Sequence, residues 1–191
     1  MKSLLKVIQL HKNESHWIQK AIRQNRDAQR VLFDLYAPKM LSVCRCYIKD
    51  LQHAEDVMLN GFFKVFSNLK NYTGAGSFEG WIRKIMVRES ISFLRKQKHI
   101  EFVVEDVAVK QEASDNIQSA IEVAEIQQLI DDLPEGYRMV FMMYAIEGYK
   151  HNEIADILKI AEGTSKSQLF KARKMLQRKI KKLNKLSYGT K

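Results

Sequence analysis

The amino-acid sequence predicts an all-α fold: two small helical domains joined by an acidic flexible linker, the C-terminal one a helix-turn-helix. Three observations carry this. Apolar residues recur at helical spacing almost throughout the 191 residues, and only two prolines and eight glycines interrupt them. Hydrophobic residues make up 46% of the chain, enough for two small cores. The helical period fails once, over "KHIEFVVEDVAVKQEASDNIQ", where acids, Ser and Asn gather. The linker is therefore placed at 99–118, between domains spanning 1–98 and 119–186.

The first domain reads as at least four helical stretches. "HWIQKAIRQN" is short and amphipathic. "DAQRVLFDLYAPKMLSVCRCYI" carries Val31, Leu32, Leu35, Tyr36, Met40, Leu41, Val43 and Tyr47, with Pro38 expected to bend or break it. Asp50 can cap "LQHAEDVMLNGFFKVFSNL", whose Ala54, Val57, Met58, Phe62, Val65, Phe66 and Leu69 form one broad face. The loop "KNYTGAGS" comes next. A phosphate-cradling glycine loop needs a preceding strand, and the segment before Gly74 and Gly76 is helical, so a turn with Ser77 as N-cap is expected. The next helix runs from Phe78 to about residue 98.

In the second domain a helix spans 117–133, and Pro134 opens the next from its first turn, where a missing N–H does no harm. Val140, Phe141, Met143, Tyr144 and Ile146 are its expected core face, and Gly148 can stop it. "KHNEIADILKI" gives a short helix with Ile154, Ala155 and Leu158 inward. A brief turn at Lys159–Ala161 leads to a long last helix, which completes the helix-turn-helix pattern.

Net charge is +10, in blocks. Residues 1–97 hold 17 basic and 8 acidic side chains, residues 98–133 hold 2 and 9, and residues 134–191 hold 13 and 5. Two separated positive blocks favour a long polyanion over a compact acidic substrate. "MKSLLKVIQL" is too short and too interrupted by Lys6 for a signal peptide, and no window approaches a membrane span. A cytoplasmic protein without membrane insertion is expected. Cys44 and Cys46, two apart on a helix, point in different directions and read as reduced thiols. His11, His16, His53, His99 and His151 are scattered, and neither a nucleophile constellation nor a metal-ligand cluster emerges. The expectation is no catalytic residue, no metal and no cofactor.

Two segments point to nucleic acid. At 100° per residue, Lys84, Arg88 and Arg95 fall in one stripe with Trp81 and Ser92 beside it, while Ile82, Ile85, Met86 and Phe93 gather elsewhere. The neighbouring loop holds Asn71, Tyr72 and Thr73. Cations can track a phosphate backbone while polar and aromatic loop groups receive unstacked bases, an arrangement suited to melting DNA. The last helix has no acid after Glu162, whereas ten lysines and arginines come after it. Ser165, Leu169, Ala172 and Leu176 make its expected packed side. Thr164, Ser167, Lys171, Lys174 and Arg178 lie opposite, flanked by Lys166 and Gln168. The short polar groups suit base edges and the cations suit phosphates.

In order and at familiar spacings, "LYAPKML", "HAEDV", "FFKVF", "GSFEGWIRKI", "LPEGYRMVFMMYAIEGYKHNEIADIL" and "EGTSKSQLFKARK" resemble the small two-domain bacterial sigma factors of the extracytoplasmic-function (ECF) type, from about Asp27 to Lys182. The resemblance implies a non-catalytic subunit that directs core RNA polymerase to promoter DNA, with an anti-sigma factor as a further partner. It implies that the first domain (region 2) binds polymerase through the helix with Glu55 and Asp56. The segment from Leu69 to Arg95 would open the −10 element and hold a flipped base, and the second domain (region 4) would read the −35 element. Some positions depart from the family pattern. Leu59 and Asn60 stand where members often carry Gln and an acid, and Arg88 where Asn is frequent. Lys159 and Ala161 replace the usual Gly and Ser of the turn, each at a cost of up to about 1 kcal/mol, which predicts a shifted turn with Thr164 as a later cap. The alternative is a helix-turn-helix regulator with an N-terminal dimerisation or sensing domain; it leaves the stripe at Lys84–Arg95 unexplained.

Overall fold

The computed structural model describes residues 14–97 and 123–188, among which every regular element is helical. The chain divides into two compact units, Met1–Gln97 and Lys98–Lys191. The linker expected at 99–118 lies outside the described residues, as does the start of the helix expected from residue 117.

In the first unit α1 spans 14–22, and α2 (Arg26–Tyr47) begins where Asn25 Oδ1 accepts the Ala28 N–H at 2.8 Å. α2 runs unbroken through Pro38, so the expected break is absent; the helix is held by burying Tyr36 before the proline and Met40 after it. Asp50 caps α3 (Leu51–Ser67) by accepting the His53 N–H at 2.8 Å. A 3₁₀ turn (Leu69–Asn71) leads into the 72–77 loop, and α4 (Phe78–Gln97) starts where Ser77 Oγ accepts the Gly80 N–H at 3.1 Å. The helices α2, α3 and α4 pack pairwise around Leu32, Met40, Tyr47, Val65, Ile82, Met86 and Ile91. At Gly61 a side chain of α4 presses against α3: a Cβ there would sit 2.4 Å from the buried Met86 Sδ. Cys44 is buried, and burial pushes its thiol up to about 11; Cys46 is half-buried, and neither forms a disulfide.

In the second unit α5 is Val123–Asp131 and α6 is Glu135–Phe141. Pro134 is the N-cap of α6, one residue before the first turn, and its carbonyl accepts the Arg138 N–H at 2.9 Å. α6 continues into a π turn, Met142–Ile146, in which the Glu147 N–H reaches back to the Met142 carbonyl at 3.0 Å. The wider turn rotates its residues away from the α-helical register. Met139, Val140, Met142 and Met143 are buried, whereas Phe141 is half-buried and Tyr144 and Ile146, expected inside, are exposed. Gly148, at φ +74°, ends the element.

α7 (His151–Leu158) buries Ile154, Ala155 and Leu158, and the Glu153 carboxylate accepts the Lys150 N–H at 2.8 Å. The turn after α7 is not shifted. Lys159 takes φ +56°, and the Ile160 N–H donates to the Ala155 carbonyl at 3.1 Å, closing the helix end. α8 (Glu162–Tyr188) then begins directly after Ala161, whose carbonyl accepts the Ser165 N–H; Thr164 is not its cap. Lys179 of α8 pairs with Asp132 at 2.8 Å, tying the long helix to the α5–α6 corner.

Candidate nucleic-acid interface

The first unit gathers aromatic rings at the start of α4. Tyr72 lies edge-on to Phe78 (5.1 Å between centroids) and tilted over Trp81 (5.5 Å), and Phe78 stacks on Trp81 at 19°. Tyr36 meets Phe78 from α2 at 5.6 Å. The Tyr72 hydroxyl donates to the Gly76 carbonyl at 2.9 Å, which folds the loop back on itself. That fold relies on left-handed backbone at Gly74 (φ +78°) and Gly76 (φ +100°). Burial, then the Glu14 charge, raises the Tyr72 phenol, so the hydroxyl stays a neutral donor. Asn71, at the end of the 3₁₀ turn, and Thr73, on the loop, are exposed and Trp81 is half-buried. Along α4, Lys84, Arg88, Ser92 and Arg95 are all exposed. The structure thus places a cationic stripe on the helix next to an aromatic-lined loop.

α1 lines an open cleft of about 660 Å³ beside this loop, with Gln19 from α1 and Glu79 and Arg83 from α4 in its walls. The Glu14 carboxylate accepts a short hydrogen bond from the Tyr36 hydroxyl. None of these α1 residues was singled out from sequence, because a short amphipathic helix does not announce which element it covers.

The polar face of α8 differs from the sequence reading. Lys166, Lys174 and Arg178 are exposed and Lys171 is half-buried, but Thr164 and Ser167 are only 9% exposed and Gln168 1%. The three neutral residues expected at base edges are packed inward. Both α6 and α7 lie against α8, so its buried arc extends past Ser165, Leu169 and Ala172 to take in Thr164 and Gln168; Leu176, expected inside, is half-buried. The Ser167 hydroxyl donates to the Thr164 carbonyl at 3.0 Å, which satisfies it internally. The outward face is instead Lys166, Arg173, Lys174, Gln177 and Arg178, with Phe170 half-buried among them and the Lys174 ammonium 5.7 Å from its ring. Arg173 was missed, although it stands seven residues after Lys166 and so on the same side.

A small assembly sets the start of α8. His151 Nδ1 and Ser165 Oγ share a hydrogen bond of 2.9 Å, Tyr144 stacks on the imidazole at 4.5 Å, and the Arg173 guanidinium lies 5.6 Å over Tyr144. Burial, then Lys166 and Arg173, hold the His151 pKa below its ordinary value against the opposing pull of Glu162. Glu162 itself is held below the usual carboxylate range chiefly by its hydrogen bond to Lys166, 2.7 Å away.

On α3, Glu55 and Asp56 are exposed. Beside them are Leu59 (52% exposed) and Phe63 (74%), an outward apolar pair on a helix whose opposite face is core. Among the described residues no group of three His, Cys, Asp or Glu side chains could hold a metal, and no helix is long and apolar enough to cross a membrane.

Comparison with known proteins identifies the family. The profile of sigma-70 region 2 matches residues 32–100, and that of sigma-70 region 4 matches residues 124–176. The chain is 27% identical over 183 residues to the ECF RNA polymerase sigma factor SigW of Bacillus subtilis, covering 87% of this chain and 98% of the relative. It is 26% identical over 180 residues to the RNA polymerase sigma-H factor of Pseudomonas aeruginosa, covering 87% and 93%. Among solved structures, the sigma factor RpoE of Bartonella quintana, in complex with the anti-sigma factor NepR, shares the fold with a TM-score of 0.52 at 20% identity, over 80% of this chain and 96% of that one. Two sigma-70 regions in order, each on its own helical unit, and full-length relatives of one kind lead to one conclusion: the chain belongs to the sigma-70 family as an ECF-type sigma factor and serves promoter-specific initiation of transcription by RNA polymerase.

Proposed function

We propose that the two units divide promoter recognition between a melted and a paired segment. The first unit opens the −10 element: Lys84, Arg88 and Arg95 track the phosphates of one strand, and Asn71, Tyr72, Thr73 and Trp81 receive a base as it leaves the stack. Each base-pair step opened costs about 1–2 kcal/mol of stacking, and capture of an extruded base offsets part of it. The second unit lays α8 along the −35 major groove, with Lys166, Lys171, Lys174 and Arg178 on phosphates or bases. Thr164, Ser167 and Gln168 support the helix from inside and set its angle. Glu55 and Asp56, with Leu59 and Phe63 beside them, form the surface for core RNA polymerase.

The observation that carries this reading is the pairing of a cationic stripe with an aromatic loop in one unit and a cation-faced helix-turn-helix in the other. A one-site regulator uses only the second. The chain acts in the cytoplasm as a non-catalytic subunit without a cofactor, and an anti-sigma factor, as seen with the Bartonella relative, is its expected inhibitor. Reconstitution with core polymerase tests the whole: start-site-specific transcripts, a permanganate-reactive bubble at −10 and separate protection at −35 are expected. Duplex binding without polymerase-dependent opening would instead identify a regulator.

A further inference from the structure

The outward face of α8 is braced by residues outside its own helix. Arg173 is exposed, and its guanidinium carbon lies 5.6 Å over the ring of Tyr144 in the π turn. Tyr144 in turn stacks on His151 of α7, 4.5 Å between centroids and 23° between planes. His151 Nδ1 shares its 2.9 Å hydrogen bond with Ser165 Oγ, and Ser165 is fully buried in α8. The series of contacts thus leaves α8 at Ser165 and returns to it at Arg173, eight residues and about two turns further on. The π turn makes this possible, because it carries Tyr144 out of the core to where its ring can meet both partners. Insertions of this kind recur at functional sites.

Arg173 has no competing partner of opposite charge. Among the described residues no carboxylate pairs with it, and Glu162, the one acid of α8, is taken by Lys166 at 2.7 Å. A cation resting on a ring keeps the hydrogen-bonding capacity that a carboxylate would consume. It also has fewer side-chain conformers left to lose when it meets a phosphate. We infer that Tyr144 and His151 are positioning residues for promoter binding, which hold the Arg173 guanidinium in the pose that meets a phosphate of the −35 duplex. This rests on the −35 reading of α8 above and adds to it two residues from outside that helix. Neither needs to touch the DNA. Two consequences follow: the ring of Tyr144 matters and its hydroxyl does not, and the ring matters only while Arg173 is present.

The test is a double-mutant cycle in holoenzyme made from the full chain and core polymerase. Affinity for a duplex carrying the mapped −35 element is measured by competition at one fixed salt concentration. Tyr144→Leu should weaken binding by about two- to fivefold, the scale of one exposed cation–ring contact. Tyr144→Phe, which keeps the ring, should bind like the parent. In an Arg173→Ala background Tyr144→Leu should cause no further loss. His151→Leu should cause a smaller loss than Tyr144→Leu, again only with Arg173 present. A purely structural role for Tyr144 would weaken binding equally in both backgrounds, and a DNA contact by its hydroxyl would appear as a loss in Tyr144→Phe. Either result, or full affinity in Tyr144→Leu, overturns the inference and leaves the −35 reading intact. A parent holoenzyme that binds the −35 duplex no better than a scrambled one overturns that reading itself.

Discussion

α4 and α8 both carry exposed cations, yet the sequence wheel described one of them far better than the other. On α4 every cation assigned to the outward stripe, Lys84, Arg88 and Arg95, is exposed. On α8 Lys166, Lys174 and Arg178 also emerge, but the neutral Thr164, Ser167 and Gln168 are drawn inside. The difference lies in desolvation. Burying a charged ammonium or guanidinium costs several kcal/mol unless it is paired, so charge alone nearly fixes which way such a residue faces. A hydroxyl or amide that finds a hydrogen bond inside costs little, and Ser167 has one in the Thr164 carbonyl. Neutral polar residues on a helix are thus weak evidence for an exposed face, and unpaired cations are strong evidence for one.

The largest expected effect tests whether α8 is a core element as much as a contact surface. Leu169→Ala, at a buried position, should destabilise the second unit by about 2–5 kcal/mol in denaturant titration. A loss below about 1 kcal/mol would mean that α8 is loosely held and that its buried arc is narrower than the burial of Thr164 and Gln168 implies. Gly61→Ala applies the same pressure to the first unit, where an added methyl meets Met86; overpacking of about 1–3 kcal/mol is expected from its thermal unfolding. Easy accommodation would show that Met86 has room to turn aside.

Smaller effects separate the cations from the neutral residues. Arg173→Ala and Lys174→Ala should each flatten the salt dependence of −35 binding by about one unit of slope. Ser167→Ala should leave both slope and base preference as they are; a changed base preference would return Ser167 to the groove. The weakest effect is that of His151. Its pKa is lowered in the folded state, so the unfolded chain binds the proton more readily and the stabilisation is full above the ordinary value of 6.5. Stability of the second unit should fall as pH drops below that value and through the lowered folded pKa. In His151→Gln this component should vanish, and Tm measured between about pH 5.5 and 7.5 would show an identical slope in both proteins if the imidazole titrates freely.

Much of the fold could be read from the residues in order. The caps at Asp50 and Ser77, the stop at Gly148 and the inward trio Ile154, Ala155 and Leu158 are local features, set by hydrogen bonds and periods that span only a few residues. Where periodicity misplaced a residue, the cause was local geometry that it does not encode. The π turn at Met142–Ile146 moved Tyr144 and Ile146 out of the core, and that placed Tyr144 against His151. Lys159 accepted a left-handed backbone for which glycine was expected, because the Ile160 N–H gains the Ala155 carbonyl in return. Helix content, the two charged blocks and the outward direction of the cations come from composition and period, because desolvation and helical geometry act on each residue almost independently of its distant neighbours. The buried arc of α8, the approach of Gly61 to Met86 and the cleft that α1 lines depend on which helices meet. Packing between segments far apart in the chain settles such matters, and no short window of residues contains both partners.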